Sequence, residues 1–274
     1  METNRLTAYF LRQHPKISAR TLQQYTPEEA ADFLENTPPA IIASITQELI
    51  PSYAADCLKL LPVDIAAKVL SILGAEQASL LMRRMKSSQR VKLIRAMPTV
   101  FANMVRLVLR YPDSTVGYLM NPDVFTVNQE MTVSEVVRVL KQSNLELQDR
   151  VYVLDSQQRL TGIIPVSRLL ISEDADMKSI MSDPDETVSA RTRIDNLKIN
   201  SNQDAIPVVD HAGVFVGVIN IKIVTAALES KREHQGIENL SETALSLAEI
   251  LWDTCANMIS PDYHTDSRKK KHDD

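Results

Sequence analysis

The sequence predicts a multidomain protein of α and α+β class: an N-terminal superhelix of short α-helices, two tandem αβ modules and a C-terminal amphipathic helix. Three observations lead there. Residues 27–110 repeat with a period of twelve. From Val124 the pattern changes to strands alternating with helices, and that order occurs twice. Beyond Gly236 a single apolar stripe runs to Ile259.

Origins at 27, 39, 51, 63, 75, 87 and 99 align the repeat without gaps. The fourth and fifth positions are Ala30-Ala31, Ile42-Ala43, Ala54-Ala55, Ala66-Ala67, Ala78-Ser79, Arg90-Val91 and Ala102-Asn103. The seventh and eighth are Phe33-Leu34, Ile45-Thr46, Cys57-Leu58, Val69-Leu70, Leu81-Met82, Leu93-Ile94 and Val105-Arg106. Spacings of three and four place these on one stripe of a short helix. Pro27, Pro39, Pro51, Pro62 and Pro98 fall at unit starts or one residue before, where a first helical turn tolerates proline, and Gly74 punctuates another boundary. Helices this short need neighbours to cover their stripe. The expected stack has faces for docking and no pocket.

The stretch Tyr111–Pro122 separates the two halves. Pro112 and Asp113 read as a helix stop, with Asp113 or Ser114 as the cap of a short following helix. The junction is expected to act as a hinge. In the first module, 124–127 reads as a strand, and Thr132 has capping-box spacing to Glu135 ahead of a helix bearing Val133, Val136, Val137 and Leu140. Strands at 151–155 and 160–164 follow, then a helix from 166 to 171. The second module repeats this with 176–181, Thr187-Val188, 206–210, 214–219 and a helix from about Lys222 to Leu228. Its segment 189–206 is short and weakened for helix by Asn196, Asn200 and Asn202.

Composition narrows function by exclusion. Lys plus Arg number 30 against 35 Asp plus Glu, a net charge of −5, which argues against broad nucleic-acid binding. The basic run Arg268–His272 is short and is expected to be a solvated tail. Cys57 and Cys255 lie in unrelated segments, and the five histidines are dispersed, so neither a disulfide framework nor a metal cluster is expected. No signal peptide, spanning segment, nucleophile elbow or phosphate loop is legible. The expectation is a cytoplasmic, non-enzymatic protein.

The Leu-Met and Ile-Met module starts, the run Ile206-Pro207-Val208-Val209-Asp210 and the Gly-led returning strands at Gly162 and Gly217 resemble a CBS domain pair. With the twelve-residue repeat and the run 113–122, the chain resembles the cytosolic part of an MgtE-type magnesium transporter without its membrane domain. That resemblance implies a superhelix over 1–110, CBS modules at 111–175 and 176–230, a plug-like amphipathic helix at 236–260 and a disordered tail at 261–274. It also implies a homodimer through the CBS modules. The apolar stripe of 237–259 would pack on its own modules, form a two-chain seam, or meet a membrane transporter or other protein partner.

Two ligands follow from the resemblance. CBS pairs hold adenosine nucleotides with a Ser or Thr three residues after the strand glycine and a ribose-binding Asp six residues after it. Those places hold Pro165 and Arg168 in the first module and Asn220 and Ile223 in the second, which disfavours an adenine nucleotide and leaves Arg168 and Asn220 as the cleft candidates. MgtE-type proteins bridge acidic surfaces with Mg²⁺, a hard ion served by facing carboxylates. The candidates here are Glu173, Asp174, Asp176, Glu229, Glu233 and Glu238, fewer than the family pattern because Lys222, Ile223 and Ala226 replace acids.

Overall fold

Proline sets the pitch of the first half. In the computed structural model, which describes residues 2–142, 149–171, 177–184, 186–197, 204–226 and 228, helices α2 (Pro15–Leu22), α3 (Pro27–Glu35), α4 (Pro39–Thr46) and α5 (Pro51–Leu60) each begin on a proline. The helices α6 (Val63–Leu73) and α9 (Thr99–Leu109) begin just after one, and α7 (Ala75–Arg83) follows Gly74. α1 (Glu2–Gln13) and α8 (Ser87–Ala96) complete the set. Thr26 caps α3 through a reciprocal box: Glu29 N–H donates to Thr26 Oγ1 (3.3 Å), and Thr26 N–H donates to Glu29 Oε2 (3.0 Å).

Alternate helices pack on one another. The row α2, α4, α6, α8 lies against the row α3, α5, α7, α9, while α1 packs on α2 and α4. Ala30, Ala54, Ala78 and Ala102, the fourth repeat positions of the second row, are all buried. Small side chains there let helix axes approach closely. α2 is a further rung that the sequence did not announce. It starts twelve residues before α3 and buries Ser18, Ala19 and Leu22 at the fourth, fifth and eighth positions.

The second half contains two sheets of like topology. The first orders β1 (Thr126–Asn128), β2 (Arg150–Leu154) and β3 (Leu160–Pro165); the second orders β4 (Val188–Ser189), β5 (Ala205–Val209) and β6 (Phe215–Asn220). In each, the first pair is parallel and the second antiparallel. Each antiparallel pair also shifts register at the same place, Val153/Leu154 and Val208/Val209. α10 (Val116–Leu119) and α13 (Met177–Ile180) open the modules, and α11 (Val133–Gln142) and α12 (Val166–Ile171) cover the first sheet. Val133, Val136 and Val137 pack with Val151, Val153 and Ile164. The expected Thr132–Glu135 box is present, Glu135 N–H donating to Thr132 Oγ1 at 3.3 Å, and Thr132's donors hold the Glu135 carboxyl below its usual range.

The cap of α10 differs from expectation. Thr115 precedes the helix, and its hydroxyl donates to Pro112 O at 2.7 Å instead of capping. Ser114 takes a left-handed conformation, φ 68°, and its carbonyl accepts from Ile194 N–H of the second module at 2.8 Å. Asp113 faces Arg83.

Candidate functional site

The two modules are cross-linked by backbone. Asn121, which leads into the first sheet, donates its N–H to Val218 O of the second at 2.7 Å, and Val218 N–H returns to Asn121 O at 2.9 Å. Ser182, which leads into the second sheet, makes the same reciprocal pair with Ile163 of the first, at 3.0 and 3.1 Å. The opening of α10 also belongs with the second sheet: Val116 N–H donates to Thr192 O and Gly117 N–H to Ala190 O, both at 2.8 Å. Each module is thus entered by a segment bound to the other.

The strand glycines permit this crossing. Gly217 has φ 148°, and a Cβ there would run into the Asn121 carbonyl oxygen and within 2.9 Å of Pro122 Cα. At Gly162 a Cβ would collide with the Met181 side chain and sit 3.0 Å from Ser182 O. The glycines that resemble a nucleotide motif therefore also carry the close approach of the crossing segments. Between the sheets, Tyr152 and Phe215 stack with centroids 5.2 Å apart, among Leu154, Ile163 and Val218.

The two cleft candidates stand at the ends of the returning strands. Arg168, in α12, is exposed, and its Nη1 donates to Ile180 O at 3.3 Å. Its guanidinium therefore sits beside the segment that enters the second module. Asn220 ends β6, and its Oδ1 accepts from Lys222 N–H at 2.9 Å, capping the helical turn that begins at 221. The six carboxylates named for Mg²⁺, and the stretch 237–259, lie outside the described residues. Among the described residues no group of three or more His, Cys, Asp or Glu is placed to hold a metal ion, and no helix is long and apolar enough to cross a membrane.

Two features went unsignalled in the sequence. Arg83, at the end of α7, donates from Nη2 to Val108 O (2.8 Å) and Tyr111 O (2.9 Å), and its guanidinium lies 4.3 Å from the ring centroid of Tyr118 in α10. It ties the superhelix to the first turn of the module pair. The superhelix also has a pocket where none was expected: a cavity of about 520 Å³ opens among α1, α2 and α3. It lies beside α1, which packs on α2 and α4.

A family model described as the MgtE intracellular N domain matches residues 2–114, and a CBS domain model matches residues 116–172. Residues 2–114 are thus similar to an MgtE N domain and 116–172 to a CBS domain, and the second sheet repeats the topology of the first. Over 134 residues the chain is 29% identical to the magnesium transporter MgtE of Thermus thermophilus, covering 46% of this chain and 30% of that protein. Over 168 residues it is 23% identical to the MgtE of Enterococcus faecalis, covering 54% of this chain and 35% of that one. The chain therefore matches about a third of the length of these relatives. A crystal structure of the cytosolic domain of the Mg²⁺ channel MgtE in complex with ATP superposes with a TM-score of 0.71 at 23% identity, covering 82% of this chain and 94% of that one. The soluble part of a magnesium transporter superposes with a TM-score of 0.58 at 19% identity, covering 84% and 98%.

The MgtE–ATP complex corrects the expectation on nucleotide. Missing ribose carboxylates at Arg168 and Ile223 had counted against an adenine nucleotide, yet a protein of this fold is found with ATP. The physical reason is that one side chain is a small part of such a cleft. Apolar contact with a base and backbone N–H or C=O groups leave no mark at a single motif position.

Proposed function

We propose that the chain is a cytosolic, non-enzymatic regulatory module of the MgtE family, in which an adenine nucleotide taken up by the CBS pair sets the state of the 111–122 junction and so of the N domain. The crossing carries this proposal. Asn121 and Ser182 are each hydrogen-bonded to the opposite module, so a ligand that draws the modules together acts on both entry segments, and the first of these continues directly into the superhelix. Arg168 is assigned to the phosphate side, being an exposed cation on the helix after β3, and Asn220 to the equivalent place after β6. The modules pair as a homodimer in this scheme.

Calorimetric titration of the full chain with ATP, ADP and AMP, with CTP as control, tests it. Saturable binding of an adenine nucleotide is expected, weakened about tenfold in Arg168→Gln by loss of one charge-assisted contact. It should come with slower proteolysis of 111–122. Absence of binding by all three adenine nucleotides would overturn it.

A further inference from the structure

Charge is segregated along the superhelix. Between Glu76 and Asp113 the chain carries eight Lys or Arg and no carboxylate, in a protein of net charge −5. Arg83 is taken up at the junction. Arg84, Lys86, Lys92, Arg95, Arg106 and Arg110 are exposed, and among the described residues none of these six is in a salt bridge. They belong to α8, α9 and the corners beside them.

The repeat shows which way α8 and α9 turn. Its fifth and eighth positions are covered in the inner rungs: Ala55 and Leu58, Ala67 and Leu70, and Ser79 and Met82 are all buried. In the last pair these positions hold Val91 and Ile94 in α8, and Asn103 and Arg106 in α9. Val91 is 44% exposed, and Asn103 and Arg106 are exposed, so this side has no further rung over it. Arg95 follows Val91 by four residues and Arg110 follows Arg106 by four, which sets both on the same open side. Lys92 adjoins Arg95 at a spacing of three. Folding does not account for the single sign. A terminal rung must be polar, but like charges three and four apart, Lys92 with Arg95 and Arg106 with Arg110, weaken the helices that carry them. Amides or mixed charges would make a better cap.

The occupant of such a face is anionic, and its form follows from what stands among the cations. Besides Val91, Val100 at the α8–α9 corner is 69% exposed. The two aromatic residues between Glu76 and Asp113, Phe101 and Tyr111, are half-buried, so the bases of a nucleic acid find no stacking platform. Long cationic stems around exposed valines suit a lipid surface, where the charged heads reach phosphates and the aliphatic groups reach the acyl boundary. We propose that the α8–α9 end of the superhelix binds the surface of an anionic lipid bilayer, with Lys92, Arg95, Arg106 and Arg110 on the headgroup phosphates and Val91 toward the acyl boundary.

The test is co-sedimentation of the full chain with vesicles of phosphatidylcholine alone, or with about 30% phosphatidylglycerol. Binding to the anionic vesicles only is expected, at least about tenfold weaker in 0.5 M salt than in 0.1 M. The variant Lys92→Glu/Arg95→Glu/Arg106→Glu should lose at least about tenfold in affinity, and Lys92→Gln/Arg95→Gln/Arg106→Gln a smaller part of it. A control, Lys16→Glu/Arg20→Glu/Lys68→Glu, changes net charge equally at exposed sites outside this face and should lose no more than about twofold. Circular dichroism should show all three variants folded. No binding to anionic vesicles, equal loss in the face and control variants, or face-dependent binding of a polyuridylate oligonucleotide or a polyglutamate peptide in place of vesicles would each overturn the proposal. Vesicle binding needs no nucleotide, so its failure and that of nucleotide binding are read separately.

Discussion

The Arg83 guanidinium lies 4.3 Å from the centroid of the Tyr118 ring, joining α7 of the superhelix to the helix that opens the CBS pair. The same guanidinium satisfies two carbonyls at the end of α9, Val108 and Tyr111. A helix terminus leaves such carbonyls without intrahelical partners, and a planar fork reaches both while stacking on an aromatic face. Its Nε is buried without a hydrogen-bond partner, which subtracts from the gain.

Arg83→Met is therefore expected to cost about 2–3 kcal/mol, from two charge-assisted hydrogen bonds and one cation–π contact. Arg83→Lys should recover only part of it. Asp113→Asn should cost less than about 0.5 kcal/mol, since Asp113 is 82% exposed and 3.4 Å away. Urea unfolding gives the energies. Amide exchange should show the end of α9 and the start of α10 losing protection together in Arg83→Met. If only α9 loosens, Arg83 is a helix cap and not a link between domains.

The two crossing glycines should respond unequally to alanine. Gly217→Ala places a methyl group against the Asn121–Pro122 backbone at a φ that L-residues avoid, so neither partner can yield cheaply. A loss of about 3 kcal/mol or more is expected. Gly162→Ala meets chiefly the Met181 side chain, which can change rotamer, and about 1–2 kcal/mol is expected. Denaturation midpoints of the two variants decide the order. A larger loss at Gly162 would mean that the Ser182 carbonyl, not Met181, sets the constraint.

The crossing also shows where sequence stops informing structure. The rungs were legible because proline position and Ala spacing are local, and the Thr132–Glu135 box was legible for the same reason. α2 escaped because Thr21 stands at the seventh position, where an apolar residue marks every later rung, although Pro15 keeps the period. The pairing of Asn121 with Val218 joins segments from opposite modules, and no local pattern encodes a partner that distant. Arg83 was invisible for a different reason: an arginine in the last turn of a helix reads as a solvated charge until the chain folds back beneath it. A nucleotide cleft is poorly legible in a sequence because its motif marks few side chains, while its backbone and apolar contacts leave no pattern.

Tyr53 supplies a third tie. From α5 its hydroxyl donates to Leu22 O and lies 3.1 Å from Tyr25 O, at the end of α2. Burial, the largest cause, pushes its pKa to about 12, so the phenol remains a donor throughout the ordinary pH range. Tyr53→Phe keeps the ring and removes both hydrogen bonds, leaving Leu22 O with the Tyr25 N–H at 3.0 Å, at a cost of about 1 kcal/mol. The guanidinium chloride midpoint should fall with the slope unchanged.

Glu76 should make stability depend on pH. It lies in the first turn of α7, where the helix dipole favours a negative charge by about 0.3–1 kcal/mol. Burial opposes this and wins, raising its pKa from 4.5 to about 7. Below pH 4.5 the carboxyl is protonated in folded and unfolded chains alike and costs nothing. Between about 4.5 and 7 the unfolded chain ionises first, so stability falls as pH rises; above 7 the folded state holds a half-buried charge at a cost of about 2 kcal/mol. Glu76→Gln is neutral at every pH. It should therefore match the parent near pH 4.5 and exceed it at pH 8 by several degrees in Tm. Equal Tm differences at the two pH values would show that Glu76 reaches water in the folded chain.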